Sequence, residues 1–187
     1  MARLIKKVGP MRLKPELKQS PFAALVEAIV YQQLHGKAAA TIFKRVLVLF
    51  PKRKFPKPED FLNTPDKTLR SAGLSGAKTA AIKDLSQKML DGVIPTLKQI
   101  EKMTDDEIVE RISSVRGIGR WTVEMLLIFK LGRPDVLPAT DFAIRKAFGQ
   151  IYKQKEMPPP KAILEFGEIW RPHRTTAAWY LWRSLDL

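Results

Sequence analysis

The stretch SSVRGIGRWTVEMLL, residues 113–127, sets two glycines around one isoleucine and opens an apolar run within a turn of them. Glycine carries no Cβ, so Gly117 and Gly119 admit positive φ and let another backbone come close. Ile118 between them is expected to pin the turn into a core. Upstream, Thr104 and Glu107 form a capping box, and Ile108, Ile112 and Val115 follow at helical spacing. Downstream, a second helix is expected to run to about Leu131, and its first N–H groups have no partner within the helix. Such helix starts attract anions through hydrogen bonding and through the dipole. A helix–hairpin–helix of this form suits a nucleic-acid phosphate, while a plain αα-turn is the alternative that the hairpin alone leaves open.

Nucleotide-binding readings fit less well. A Gly-x-Gly-x-x-Gly fingerprint would need glycine where Thr122 stands, and a strand rather than a helix before it. GLSGAKT (73–79) and LHGK (34–37) both lack the spacing of a phosphate-binding P-loop.

Charge points the same way as the hairpin. The 187 residues carry 33 Lys and Arg against 19 Asp and Glu, a net charge of +14. So basic a chain implies a polyanionic partner, nucleic acid first and an acidic membrane surface second. There is no cysteine, which excludes disulfides, thiolate zinc sites, cysteine nucleophiles and an iron–sulfur cluster. The two histidines, His35 and His173, make no metal-ligand spacing. No apolar run reaches the ~18 residues that a membrane span needs. The opening MARLIKKVGPMRLK is basic without the apolar core of a signal peptide and reads as a DNA-binding arm. The expectation is a soluble monomer of the cytoplasm or nucleoid (the nucleus in a eukaryote), neither secreted nor membrane-bound.

Working outward, helical punctuation recurs and no sustained period-two alternation is present. Ser20-Pro21 opens a helix whose apolar stripe is Phe22, Leu25, Val26, Ile29 and Val30. Further helices are expected over about 37–50, from Thr64-Pro65 to Gly73, over 77–90, from Asp141 to Phe148, and over 161–170 and 172–185. PKRKFPKP (51–58) reads as a basic loop and LGRPDVLPAT (131–140) as an extended link. The fold class is all-α, with about ten helices.

VRGIGRWTVEMLLIF followed by RPDVLPATDFAIRKAF resembles the helix-hairpin-helix (HhH-GPD) superfamily of DNA glycosylases, and within it the 3-methyladenine DNA glycosylase II branch. ALVEAIVYQQLHGKAAATIFKRV (24–46) and WRPHRTTAAWYLWR (170–183) extend the resemblance over most of residues 22–185. It implies a two-lobed unit spanning residues 1–187. One lobe would be 32–131, ending in the helix-hairpin-helix 104–131; the other would join 1–31 to 132–187, with the active site between.

The resemblance also assigns roles. Asp141, 22 residues past Gly119, takes the place of the family's catalytic aspartate; by itself it reads as a helix cap. Its negative charge would stabilise an oxocarbenium-like sugar and orient the attacking water. Thr140 stands where many relatives carry a second acid, so a mechanism of paired carboxylates is not expected. Trp121 occupies the position where strand-cutting relatives place a Schiff-base lysine, which implies a monofunctional enzyme.

Trp121 and Trp182 match the family's base-pocket aromatics, and Trp179 is divided between core and pocket. A cationic methylated base would be attracted to a tryptophan face by ~0.5–2 kcal/mol. The wedge that fills the gap left by a flipped base would come from QQLHG (32–36), with Gln33, Leu34 and His35 as candidates. Gly117, Gly119, Arg120, Lys37 and Lys78 are the expected phosphate contacts. The carbonyls of Arg116, Gly117 and Ile118 would suit a bridging Na+ or K+, and no other cofactor is implied. The implied reaction is release of 3-methyladenine and 7-methylguanine from double-stranded DNA in base excision repair. The alternatives are a glycosylase for another lesion such as hypoxanthine, or a non-catalytic damaged-DNA-binding module.

Overall fold

The computed structural model describes residues 1–16 and 20–187, and these are helical without any strand. Twelve α-helices follow one another: α1 (Ala2–Val8), α2 (Pro21–Tyr31), α3 (Gly36–Val48), α4 (Pro58–Asn63), α5 (Asp66–Ser71), α6 (Gly76–Leu90), α7 (Leu97–Ile100), α8 (Asp105–Ser113), α9 (Arg120–Met125), α10 (Phe142–Ile151), α11 (Pro160–Gly167) and α12 (Arg174–Ser184). A π-helical turn, Leu126–Lys130, continues α9, and a 3-10 turn, Glu168–Trp170, follows α11.

Five of the twelve helix starts carry a local side-chain cap. The side chains of Ser20, Ser75, Thr96, Thr104 and Asp141 each accept a backbone N–H three residues on. Thr104 and Glu107 form the expected capping box. Three short helices were not foreseen. α1 replaces the expected basic arm, and a helix this short depends on the burial of Leu4 rather than on propensity. α4 starts where the Asp60 carboxylate accepts the Lys57 N–H at 2.7 Å, and α7 spans a single turn closed by Thr96 and Gln99.

The chain divides into two compact units, Lys18–Val123 and Met1–Leu17 with Glu124–Leu187. This corrects the expected lobe boundaries at 31/32 and 131/132. In the first unit, α2 packs on α3 and α6, while α4 and α5 also pack on α6. That placement buries Leu25, Val26, Ile29 and Val30 of α2 completely, which is why α2 belongs here. Phe61, Leu69, Ile82, Leu85, Ile108 and Ile112 complete this core, each contributing ~1.5–3 kcal/mol by leaving water.

The second unit packs α12 against α1 and α10. Its core holds Leu137, Ala139, Ile144, Ala147, Phe148, Ile163, Ala178 and Leu181. Gly167 ends α11 in close contact with this core, where a Cβ would overlap Leu137 Cδ2. The tie between chain start and last helix is Tyr180, whose hydroxyl donates to the Gly9 carbonyl at 2.9 Å.

Candidate active site

Asp141 is the N-cap of α10, with Oδ1 accepting the Ile144 N–H at 2.8 Å. The same oxygen accepts the indole Nε1–H of Trp182 at 3.1 Å. Trp182, half-buried on α12, in turn stacks on Phe129 at a centroid distance of 5.6 Å and an interplanar angle of 29°. Thus Asp141 and Trp182, expected together from the resemblance, meet in one unit. Phe129 joins them from the π-helical turn and was missed, since sequence spacing does not announce a π-turn.

The segment leading into Asp141 is clamped to the start of α12. Thr175 Oγ1 donates to the Arg133 carbonyl at 2.7 Å and accepts the Val136 N–H at 3.0 Å. Asp135 receives Arg174 Nε at 2.8 Å on one oxygen and Arg171 Nη1 at 2.7 Å on the other. Burial pushes the Asp135 carboxyl upward, but the hydrogen bonds from Arg174 and the charges of Arg174 and Arg171 outweigh it, holding it below its ordinary value. Leu137, Pro138 and Ala139 are then buried, so the chain reaches Asp141 in a fixed position. Thr140 is exposed. Trp179 makes an edge contact with Tyr180, 5.0 Å between centroids, and takes no part in the Phe129–Trp182 stack.

The hairpin lies in the other unit. Ile118 is buried, as expected of a pin. Gly117 has φ +75° and needs to be glycine for the chain's own sake. Gly119 differs from expectation: its φ is ordinary and a Cβ there would meet nothing within 4 Å. Among the described residues, no contact or backbone conformation requires a glycine at 119. Trp121, 45% exposed on the first turn of α9, is accessible from solvent. Arg120 pairs with Asp106 at 3.2 Å, an exposed contact of ~0–1 kcal/mol. Glu124 is buried.

Residues of α6, together with Gln32 just past the end of α2, brace this hairpin. The Arg116 N–H donates to Asp84 Oδ2 at 2.7 Å, and Lys88 Nζ bridges Asp84 to the Ser114 carbonyl at 2.9 and 2.5 Å. Gln32 Nε2 donates to the Gly117 carbonyl at 2.9 Å, linking the hairpin to the loop between α2 and α3. Gln32 is therefore an anchor, and no local signal marks it, because its partner lies 85 residues away.

Lys78 departs from its expected place at a phosphate. Its Nζ donates to the carbonyls of Val30 and Gln32 at 2.7 and 2.8 Å, closing the C-terminal end of α2. Burial lowers its pKa from the ordinary value, as desolvation of an ammonium should. The wedge candidates stand on the loop so anchored: Gln33 has φ +54°, Leu34 is 39% exposed, and His35 is the exposed N-cap of α3 without a side-chain cap bond. Lys37 follows, exposed in the first turn of α3.

Comparison with known proteins adds to this geometry. The sequence pattern described as HhH-GPD superfamily base excision DNA repair protein matches residues 26–172. DNA-3-methyladenine glycosylase 1 of Schizosaccharomyces pombe is 39% identical over 99% of this chain and 82% of its own length. An alkylbase DNA glycosidase-like protein of the same yeast is 33% identical over 96% of this chain and 85% of its own. The solved structure of the Schizosaccharomyces pombe 3-methyladenine DNA glycosylase in complex with abasic DNA superposes with a TM-score of 0.85, covering 100% of this chain and 91% of that one. A DNA-3-methyladenine glycosidase from Bacillus halodurans, 32% identical, superposes with a TM-score of 0.87 over 98% of this chain and 82% of that one.

Proposed function

Since the chain belongs to the HhH-GPD superfamily of base excision DNA repair proteins, we propose that it is a DNA glycosylase releasing 3-methyladenine and 7-methylguanine from duplex DNA. The observation that carries the reading is the Asp141 carboxylate, held at the start of α10 by the Ile144 N–H and the Trp182 indole. The bond between C1′ and the base nitrogen breaks with its electron pair going to the base. A methylated base enters as a cation and leaves neutral, so it needs no strong general acid. The Asp141 charge stabilises the oxocarbenium-like sugar as positive charge develops. Water adds to C1′ and gives up its proton, leaving an abasic site.

Trp121 offers no amine, and with it in the lysine position no Schiff base forms there and the strand is left uncut. Trp121 serves instead as an exposed aromatic wall for the cationic base. Gly117, Gly119 and Arg120 seat a phosphate at the hairpin, with Lys37 near a second, and one of Gln33, Leu34 and His35 fills the gap in the duplex. A Na+ or K+ at the carbonyls of Arg116, Gly117 and Ile118 suits those hard oxygen donors. The Gly117 oxygen already accepts Gln32 Nε2, so a cation would use its second lone pair.

The test is release of free base from methylated duplex DNA by the wild type and by Asp141→Asn. Release that disappears in the variant while binding persists is expected. Strong release of hypoxanthine with neither methylated base would make another lesion the substrate, and binding without any release would make the protein a damage-binding module. Borohydride trapping of a covalent protein–DNA adduct would overturn the monofunctional assignment.

A further inference from the structure

Five side chains and one backbone contact form a chain within the unit that holds Asp141. The Glu16 N–H donates to the Phe129 carbonyl at 2.9 Å, and its carboxylate accepts Lys130 Nζ at 2.6 Å. Both contacts fall on the π-helical turn 126–130, which closes through the Leu131 N–H on the Leu126 carbonyl at 3.0 Å. A π-turn inserts a residue into the helical register and so changes where the following side chains point. Here it brings Phe129 flat against Trp182, and Trp182 donates its only polar hydrogen to Asp141 Oδ1.

One face of the Trp182 indole is thus covered by Phe129, and its N–H is committed to the carboxylate. We propose that Trp182 is a positioning residue for Asp141, and that Phe129, set by the Glu16-clamped π-turn, holds Trp182 in register. This inference rests on the glycosylase reading and deepens it: the aromatic pair fixes the carboxylate in the orientation that the developing sugar cation requires. The role is distinct from stacking a base, because it runs through the indole hydrogen rather than through the ring face. A misplacement of the carboxylate lowers the rate of the chemical step and leaves DNA binding intact.

The experiment separates ring from donor. Trp182→Phe keeps an aromatic ring and removes the N–H; a benzothienylalanine at 182 keeps the indole shape and replaces the N–H by sulfur. Single-turnover release of 3-methyladenine should slow roughly ten- to a hundredfold in both, the worth of a hydrogen bond to a charged acceptor, with the duplex Kd within about twofold of wild type. Phe129→Leu should slow release in the same way, and Phe129→Leu/Trp182→Phe should be no slower than Trp182→Phe alone, as expected for groups acting in series. An unchanged rate in the benzothienylalanine protein would overturn the proposal, as would weakened lesion binding at an unchanged rate constant.

A second readout does not need activity. Among the 4 tryptophan indole N–H signals of 15N-labelled protein, the one lost in Trp182→Phe should move in Asp141→Asn. A Trp182 signal that ignores Asp141→Asn would refute the hydrogen bond itself. Wild-type protein that releases no methylated base would count against the glycosylase reading alone, while the indole signal still decides the positioning.

Discussion

Replacing Lys78 by methionine separates two roles that the residue type allows. The methionine retains the apolar stem and removes the ammonium, whose two hydrogen bonds reach the Val30 and Gln32 carbonyls at 2.7 and 2.8 Å. Each hydrogen bond from a charged group is worth ~1.5–3 kcal/mol net, so their loss alone would cost ~3–6 kcal/mol. The opposing effect is relief of ammonium burial, which is what lowers the Lys78 pKa. Water can also reach the half-buried Gln32 carbonyl after the substitution. The balance is a destabilisation of ~2–3 kcal/mol, or ~4–12 °C in Tm for a chain of this size. Urea unfolding should show a lower midpoint at an unchanged slope. Duplex-binding affinity measured across a salt series should keep its slope, because this ammonium is spent inside the protein. The refuting result is the reverse: unchanged stability with a salt slope reduced by about 0.9, the signature of one lost phosphate contact.

Other substitutions and conditions test further parts. Gly119→Ala meets no protein atom within 4 Å and needs no unusual φ, so the melting temperature should hold while duplex affinity falls; unchanged affinity would remove the hairpin from the DNA contact. Gly167→Ala drives a Cβ into Leu137 Cδ2 beneath the segment that leads to Asp141, and should cost ~1–3 kcal/mol in thermal or urea unfolding. Asp135 and Asp84 are held below their ordinary value of 3.8 in the folded protein. Their contribution to stability is therefore complete above that value and is lost as pH falls through the lower folded-state pKa, so an unfolding midpoint followed from pH 7 to 2 should decline chiefly below about pH 4. Asp135→Asn should flatten that acid limb, and an identical limb in the variant would refute the assignment.

What sequence alone determined lies within a turn or two of chain. The caps at Ser20, Thr104 and Asp141, the Gly117 turn and the buried Ile118 are contacts between near neighbours, so residue type and spacing carry them. The place of Asp141 and Trp182 was legible through the order of four matching motifs, which is information about ancestry rather than about local physics. Tertiary structure decided the rest. Lys78 had a helix-start position that fits phosphate, yet its partners are 46 and 48 residues away and turn it inward. Gln32 meets Gly117 across 85 residues, and Trp182 meets Asp141 across 41. The π-turn that delivers Phe129 closes through the Leu131 N–H on the Leu126 carbonyl, and the clamp on it comes from Glu16, 114 residues before Lys130. A long polar side chain chooses among partners only after packing has brought them within about 3 Å, and that choice is invisible to any window of sequence.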